Sequence, residues 1–174
     1  MTMPITKPQP GDYAPHFQKY IDAASAVDNA LELLAEQGDV LAFMATWPED
    51  QAGHRYAEGK WSVTEVIGHM ADTERVFAYR LLCIARGDTT PLPSFDENLY
   101  QSHSGFAARS VAGVVAEMRA VRQASMALVR TANAAALDRA GTASGHRVTA
   151  RALVWLIAGH FAHHTAILKE RYGL

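Results

Sequence analysis

The chain of 174 residues has a single cysteine, Cys83. One thiol cannot close an intrachain disulfide, so the fold is expected to form without an oxidising compartment. Charge of one sign is also lacking: 16 Lys and Arg stand against 18 Asp and Glu, a net charge of −2. Without a basic surplus the chain has little with which to neutralise phosphates, which argues against nucleic-acid binding. Long apolar runs are missing. The longest apolar or small stretch, Ala152 to Gly159, is far short of the ~20 residues that span a bilayer, so no membrane partner is expected. The opening residues, MTMPITKPQPGDY, hold no apolar segment followed by a cleavage site; no secretory signal is expected, and the cytoplasm is the expected location. No stretch alternates strictly between apolar and polar with β-branched enrichment, and no repeat has a fixed period, so no strand is predicted. Gly-rich phosphate loops, dinucleotide fingerprints and a serine–histidine–acid order are absent as well.

What the chain has is helical periodicity. Apolar residues make up 49% and charged residues 20%, enough to bury one core. A helix is predicted from Asp28 to Thr46, although Gly38 weakens its interior. The next is marked by a capping box, with Ser62 as N-cap, Glu65 three residues on, and Trp61 and Val66 at the staple positions. It runs to about Arg86, where Gly87 suits the position after the helix. A third is predicted from Ser110 to about Asn133, and the last from Thr149 to Tyr172. Short helical pieces are expected over His16–Ala24 and Ala134–Arg139. Residues 88–109 read as a long loop and Gly141–Gly145 as a connector. Pro4, Pro8 and Pro10 mark residues 1–15 as a flexible tail ahead of one domain over 16–174. Four long helices without strands predict an all-α fold, a four-helix bundle.

The unusual entry in the composition is eight histidines. In the last helix His160 and His164 stand about 20° to either side of the centre of the apolar stripe, one turn apart. His163 lies at the edge of that stripe. Two neutral imidazoles aimed into a core need partners, and a divalent cation is one natural partner. A third ligand should come from a facing helix, where His69 shares an inward face with Val66, Thr73 and Val76. Asp72, three residues on, is a candidate fourth ligand, an orienting acceptor or a catalytic acid–base. Histidine ligands without cysteine suit Zn²⁺, Ni²⁺ or Fe²⁺. Spacing alone leaves two readings open, a metal site and a set of hydrogen-bonded core histidines.

The stretch Lys60-Trp61-Ser62-Val63-Thr64-Glu65-Val66-Ile67-Gly68-His69-Met70-Ala71-Asp72-Thr73-Glu74-Arg75 resembles the KWS…HxxDTER signature of the DinB-like (YfiT-like) family. Gly159-His160-Phe161-Ala162-His163-His164 resembles its closing GHxxHH, and Leu92-Pro93-Ser94-Phe95-Asp96-Glu97-Asn98 its middle loop. The resemblance extends from about Tyr20 onward. It implies a four-helix bundle holding a metal through His69, His160 and His164, with His163 not a ligand. Zn²⁺ or Ni²⁺ is the leading expectation, with Fe²⁺ or Mn²⁺ as alternatives. It also implies a homodimer, a small-molecule substrate, and chemistry of one of two kinds. One is metal-dependent hydrolysis; the other is transfer to a low-molecular-weight thiol such as bacillithiol or mycothiol.

Other features have more local readings. Glu74 lies about 140° round the helix from His69, which favours a structural ion pair. Arg80 stands about 16 Å along the axis from His69, and a pair with Asp96 or Glu97 is expected for it, with an anionic substrate end as the alternative. Asp96 and Glu97 either reach the mouth of the metal site or serve a solvated turn. Cys83 reads as an inert core thiol. The balance leans towards an enzyme, with a non-catalytic metal or ligand-binding bundle as the remaining reading.

Overall fold

The strongest local signal, the capping box, is built as expected: Glu65 N donates to Ser62 Oγ at 3.4 Å, and Ser62 N to Glu65 Oε2 at 2.7 Å. The computed structural model describes residues 4–174. Its helices are a short α1 (Gln18–Ala23), α2 (Ala30–Met44), α3 (Val63–Ala85), a short α4 (Glu97–His103), α5 (Val111–Arg130), a single turn α6 (Ala134–Leu137) and α7 (Ala150–Tyr172). Ser110 and Thr149 cap α5 and α7 by accepting from Gly113 N and Ala152 N at 3.0 and 3.1 Å. Each cap satisfies an amide that the first helical turn would leave unpaired. The long helices α2, α3, α5 and α7 form a four-helix bundle, and α1 lies against α7. Among the described residues no helix is long and apolar enough to cross a membrane.

The core is divided along the bundle axis. One apolar cluster gathers Leu34, Phe77, Leu81, Met126 and Trp155; the other gathers Leu41, Met70, Met118 and Phe161. A buried polar network crosses the bundle between them. Arg122 on α5, 4% exposed, donates from Nε to Glu74 Oε1 at 2.9 Å and from Nη2 to Glu74 Oε2 at 2.8 Å. Its Nη1 reaches Gln37 Oε1 on α2 at 2.7 Å, and Gln37 Nε2 donates to Ala158 O on α7 at 2.8 Å. The guanidinium also lies 4.8 Å from the centre of the Phe161 ring. One arginine thus ties together all four long helices, and the structural ion pair expected for Glu74 is its anchor.

Three expectations are corrected. Residues 1–3 of the expected flexible tail lie outside the described residues, but the part from Pro4 onward is held in place. Ile5 is buried, its amide donates to Asn29 Oδ1 at 3.0 Å, and its carbonyl accepts from Ala30 N at 3.1 Å. Trp155 Nε1 donates to Thr6 O at 2.8 Å and Ile5 O at 3.1 Å. A buried indole N–H needs an acceptor, and this strap supplies it.

The connector at Gly141–Gly145 is a β-hairpin, β1 (Ala140–Ala143) and β2 (His146–Thr149), paired antiparallel. Its two-residue loop has positive φ at both Ser144 (53°) and Gly145 (77°), the geometry that matches strand twist. Finally, the loop over residues 88–109 contains α4. The loop's start is pinned to the hairpin by Leu92 N→Thr142 O (2.9 Å) and Ser144 N→Leu92 O (3.0 Å).

Candidate metal centre

Gly68 and Gly159 each precede a histidine in the chain, and each is a place where two elements touch through a missing side chain. A Cβ on Gly159 would stand 1.9 Å from Tyr20 O, and one on Gly68 about 2.2 Å from the Phe106 ring. The bare backbone of α7 therefore lets α1 press against it beside His160. We predict that Gly159→Ala destabilises the protein by about 1–3 kcal/mol, because backbone must move to admit the methyl group. Gly38 lies inside α2 with nothing near its absent Cβ. Gly38→Ala should therefore stabilise by about 0.5–1 kcal/mol through helix propensity. Urea midpoints that moved the same way for both would refute the close seating of α1.

The inward faces of α3 and α7 bring three imidazoles together. Ligand-capable nitrogens of His69, His160 and His164 all lie within 4.8 Å of one another. His69 Nε2 and His160 Nε2 are 3.1 Å apart, while His69 Nδ1 lies 3.5 Å from Thr73 Oγ1, one turn along α3. That hydroxyl helps fix which nitrogen of His69 faces its neighbours. His164 has no hydrogen-bond partner among the described residues. His160 is buried and the other two are partly buried.

Burial holds the rings neutral. It lowers the pKa of His69 to about 4, with Glu97 pulling weakly the other way. It lowers that of His164 to about 3, helped by the neighbouring imidazoles and Lys19, and that of His160 well below the ordinary histidine range. Neutral imidazoles are the form that binds metal. The donor set therefore fits a divalent cation: nitrogen ligands, no thiolate, and one unpartnered ring.

The three rings open onto a cavity of about 430 Å³. Trp61 covers one side, its ring 4.8 Å from that of His69. Tyr20 covers another, its ring 5.1 Å from His160 and 5.3 Å from His163, so His163 stands at the rim. Burial and the charge of Glu97 raise the Tyr20 pKa, which keeps its hydroxyl a donor at neutral pH. Glu97, at the start of α4, also lines the cavity, as do Lys19, Phe77, Arg80 and Ser144.

Several candidates lie elsewhere. Asp72 is not among the cavity-lining residues; its Oδ1 accepts from Arg75 Nη1 at 2.9 Å, and Arg75 Nη2 in turn holds Glu117 on α5 at 2.7 Å. At three residues from His69 the α3 surface has already turned towards α5, so the expected metal-side role of Asp72 passes to an inter-helix ion pair. Asp96 caps α4, accepting from Asn98 N at 2.9 Å and Leu99 N at 3.1 Å. Arg80 pairs with neither Asp96 nor Glu97; its Nη2 donates to Pro93 O at 2.7 Å and Ser144 Oγ at 2.9 Å. Cys83 is half-buried and does not line the cavity. Lys19, Tyr20 and Ser144 were not singled out by sequence. The only signal near them is the glycine against which Tyr20 packs.

Comparison with known proteins bears on the family and the fold. The DinB superfamily profile matches residues 32–168. No curated protein matches the chain. Among solved structures, the fold is similar to YfiT from Bacillus subtilis, described as a probable metal-dependent hydrolase with an unusual four-helix bundle topology. The identity is 20% and the TM-score 0.66, over 96% of this chain and 93% of that one. It is also similar to a mycothiol-dependent maleylpyruvate isomerase, at 14% identity and TM-score 0.60, over 86% of this chain and 59% of that one.

Proposed function

The chain belongs to the DinB superfamily, and from that premise we propose that it is a metal-dependent hydrolase acting on a small molecule, its divalent ion held by His69, His160 and His164. The observation that carries this reading is the convergence of three neutral imidazoles on one wall of a cavity large enough for a small ligand. Three imidazoles without a thiolate favour Zn²⁺ or Ni²⁺. When bound, such an ion polarises a carbonyl or phosphoryl oxygen and brings the pKa of water towards about 7.

The chain's own groups supply the rest. Glu97 is the acid on the cavity wall and takes the role of proton acceptor from water. The Tyr20 hydroxyl, kept protonated, donates to oxygen as negative charge develops on it. Trp61 and Phe77 limit the access of bulk water.

The test is elemental analysis of purified wild type beside His160→Ala, followed by hydrolysis assays on ester and amide panels with metal restored. Wild type should carry roughly one ion per chain and the variant little. No stoichiometric metal, together with no stabilisation by added Zn²⁺, Ni²⁺ or Mn²⁺, would overturn the proposal.

A second reading, transfer to an external thiol, is favoured by one observation: no cysteine lines the cavity, so any sulfur nucleophile must be brought in. Similarity to the mycothiol-dependent enzyme points the same way. Turnover that requires an added low-molecular-weight thiol would select it over hydrolysis.

A further inference from the structure

Two arginines are buried in this protein to nearly the same degree, Arg80 at 3% and Arg122 at 4% exposure. Their surroundings differ. Arg122 is matched by a carboxylate and a side-chain amide inside the core. Arg80 has no carboxylate partner among the described residues; its Nη2 is engaged by a backbone carbonyl and a hydroxyl, both neutral. Nε and Nη1 make no hydrogen bond to the described residues, and neither is sealed off from solvent, so both can be reached by a ligand entering the cavity. Buried charges are ordinarily paired, so a guanidinium left this way at a cavity wall is one whose counter-charge arrives from outside.

The position of Arg80 makes that reading specific. It lines the histidine cavity together with Ser144, the one non-glycine residue with positive φ among those described. A left-handed backbone at serine is uncommon, and here it sets the hydroxyl against the guanidinium. The pinned loop adds Pro93 O on the same nitrogen and the Phe95 ring 5.9 Å from the guanidinium. Along α3 the cavity wall runs from His69 through Thr73 and Phe77 to Arg80, about 16 Å between the end residues at 1.5 Å per residue. Phe17 and Phe77, whose ring centres are 5.9 Å apart, make its middle apolar. The acid in the cavity, Glu97, belongs to the histidine end, where its charge acts on His69 and Tyr20. Lys19 belongs to that end too, 4.8 Å from the Tyr20 ring.

We propose that the cavity takes a small carboxylate with an apolar body, its carboxylate held by Arg80 and its reactive group directed to the histidines. This rests on the proposed function and names its substrate class. A single guanidinium with a carboxylate elsewhere in the same cavity favours a monoanion over a phosphate dianion.

The test uses metal-stripped wild-type protein and His160→Ala, with phenylbutyrate and its neutral isostere phenylbutyramide as probes, followed by calorimetry. The carboxylate should bind at least about tenfold more tightly than the amide in both proteins, as expected for charge-assisted hydrogen bonds in a buried site. Arg80→Gln should abolish the preference, and Arg80→Lys should keep part of it, since the charge remains and the planar donor group does not. Equal binding of the two probes to wild type, which needs no variant to fold, would overturn the proposal. So would an undiminished preference in folded Arg80→Gln. Because the ion is absent throughout, failure of the metal reading leaves these results unchanged, and equal binding of the two probes to metal-free protein refutes this inference alone.

Discussion

Glu74→Ala is expected to cost about 3–5 kcal/mol, a large share of the roughly 5–15 kcal/mol that holds a typical domain together. The loss comes less from the missing attraction than from what remains. Arg122 would keep its charge in the middle of the bundle with only neutral acceptors facing it, the Gln37 side-chain oxygen and the Leu34 carbonyl. Water cannot reach it cheaply, because apolar clusters lie on either side along the axis. Urea denaturation would read the effect as a lower midpoint. The control is Glu74→Met with Arg122→Met. Removing both charges should recover most of the loss, since apolar replacement of a buried pair is often neutral or stabilising. A double variant as unstable as Glu74→Ala would mean that the network contributes through geometry, by holding four helices in register, and not through charge balance.

The second large effect concerns acid. Metal-free protein should lose stability steadily as pH falls from about 7.5 to 5. In the unfolded chain a histidine titrates near 6.5. In the folded chain burial holds His69 at about 4, His164 at about 3 and His160 well below the ordinary range. Between those values the unfolded state takes up protons that the native state refuses, so protonation draws the equilibrium towards unfolding. Stability is therefore full above the unfolded value and declines below it. By pH 5 His69 and His164 each contribute a loss on the order of 2 kcal/mol, and His160 acts in the same direction. Thermal melts of chelator-treated protein across this range measure it directly. His164→Phe, which removes one titrating ring, should flatten the profile. A melting temperature independent of pH between 7.5 and 5.5 would show that the rings are solvated and the pocket is not closed around them.

Much of this protein was legible in its residues. The capping box at Ser62 and Glu65 placed the start of α3 to the residue, and His160 and His164 declared themselves by their phase on α7. Glu74 was readable as a structural residue because its angle set it off the His69 face. Asp72 shows the limit. Its proximity in sequence to His69 suggested a shared role, but its carboxylate found Arg75, and Arg75 found Glu117 across the groove. Nothing in the local pattern announces a partner 42 residues away. The hairpin failed for a different reason: its strands are four residues each, too short for alternation to emerge. The N-terminal strap carries prolines that suggest a loose tail, and only the position of the Trp155 indole reveals why Ile5 and Thr6 are ordered.

By itself the sequence determined four amphipathic helices, the capped starts of α3, α5 and α7, and the inward aim of three histidines. These are properties of neighbours within a turn or two, where backbone hydrogen bonding and side-chain period act on contiguous residues. Only the tertiary structure decided which groups share the cavity. Tyr20 arrives on a helix of six residues, Ser144 on the tight turn of a hairpin, and Glu97 at the head of α4. Their meeting depends on close packing between segments far apart in the chain. That packing is set by shape, by missing Cβ atoms such as that of Gly159, and by buried charge, none of which leaves a periodic trace.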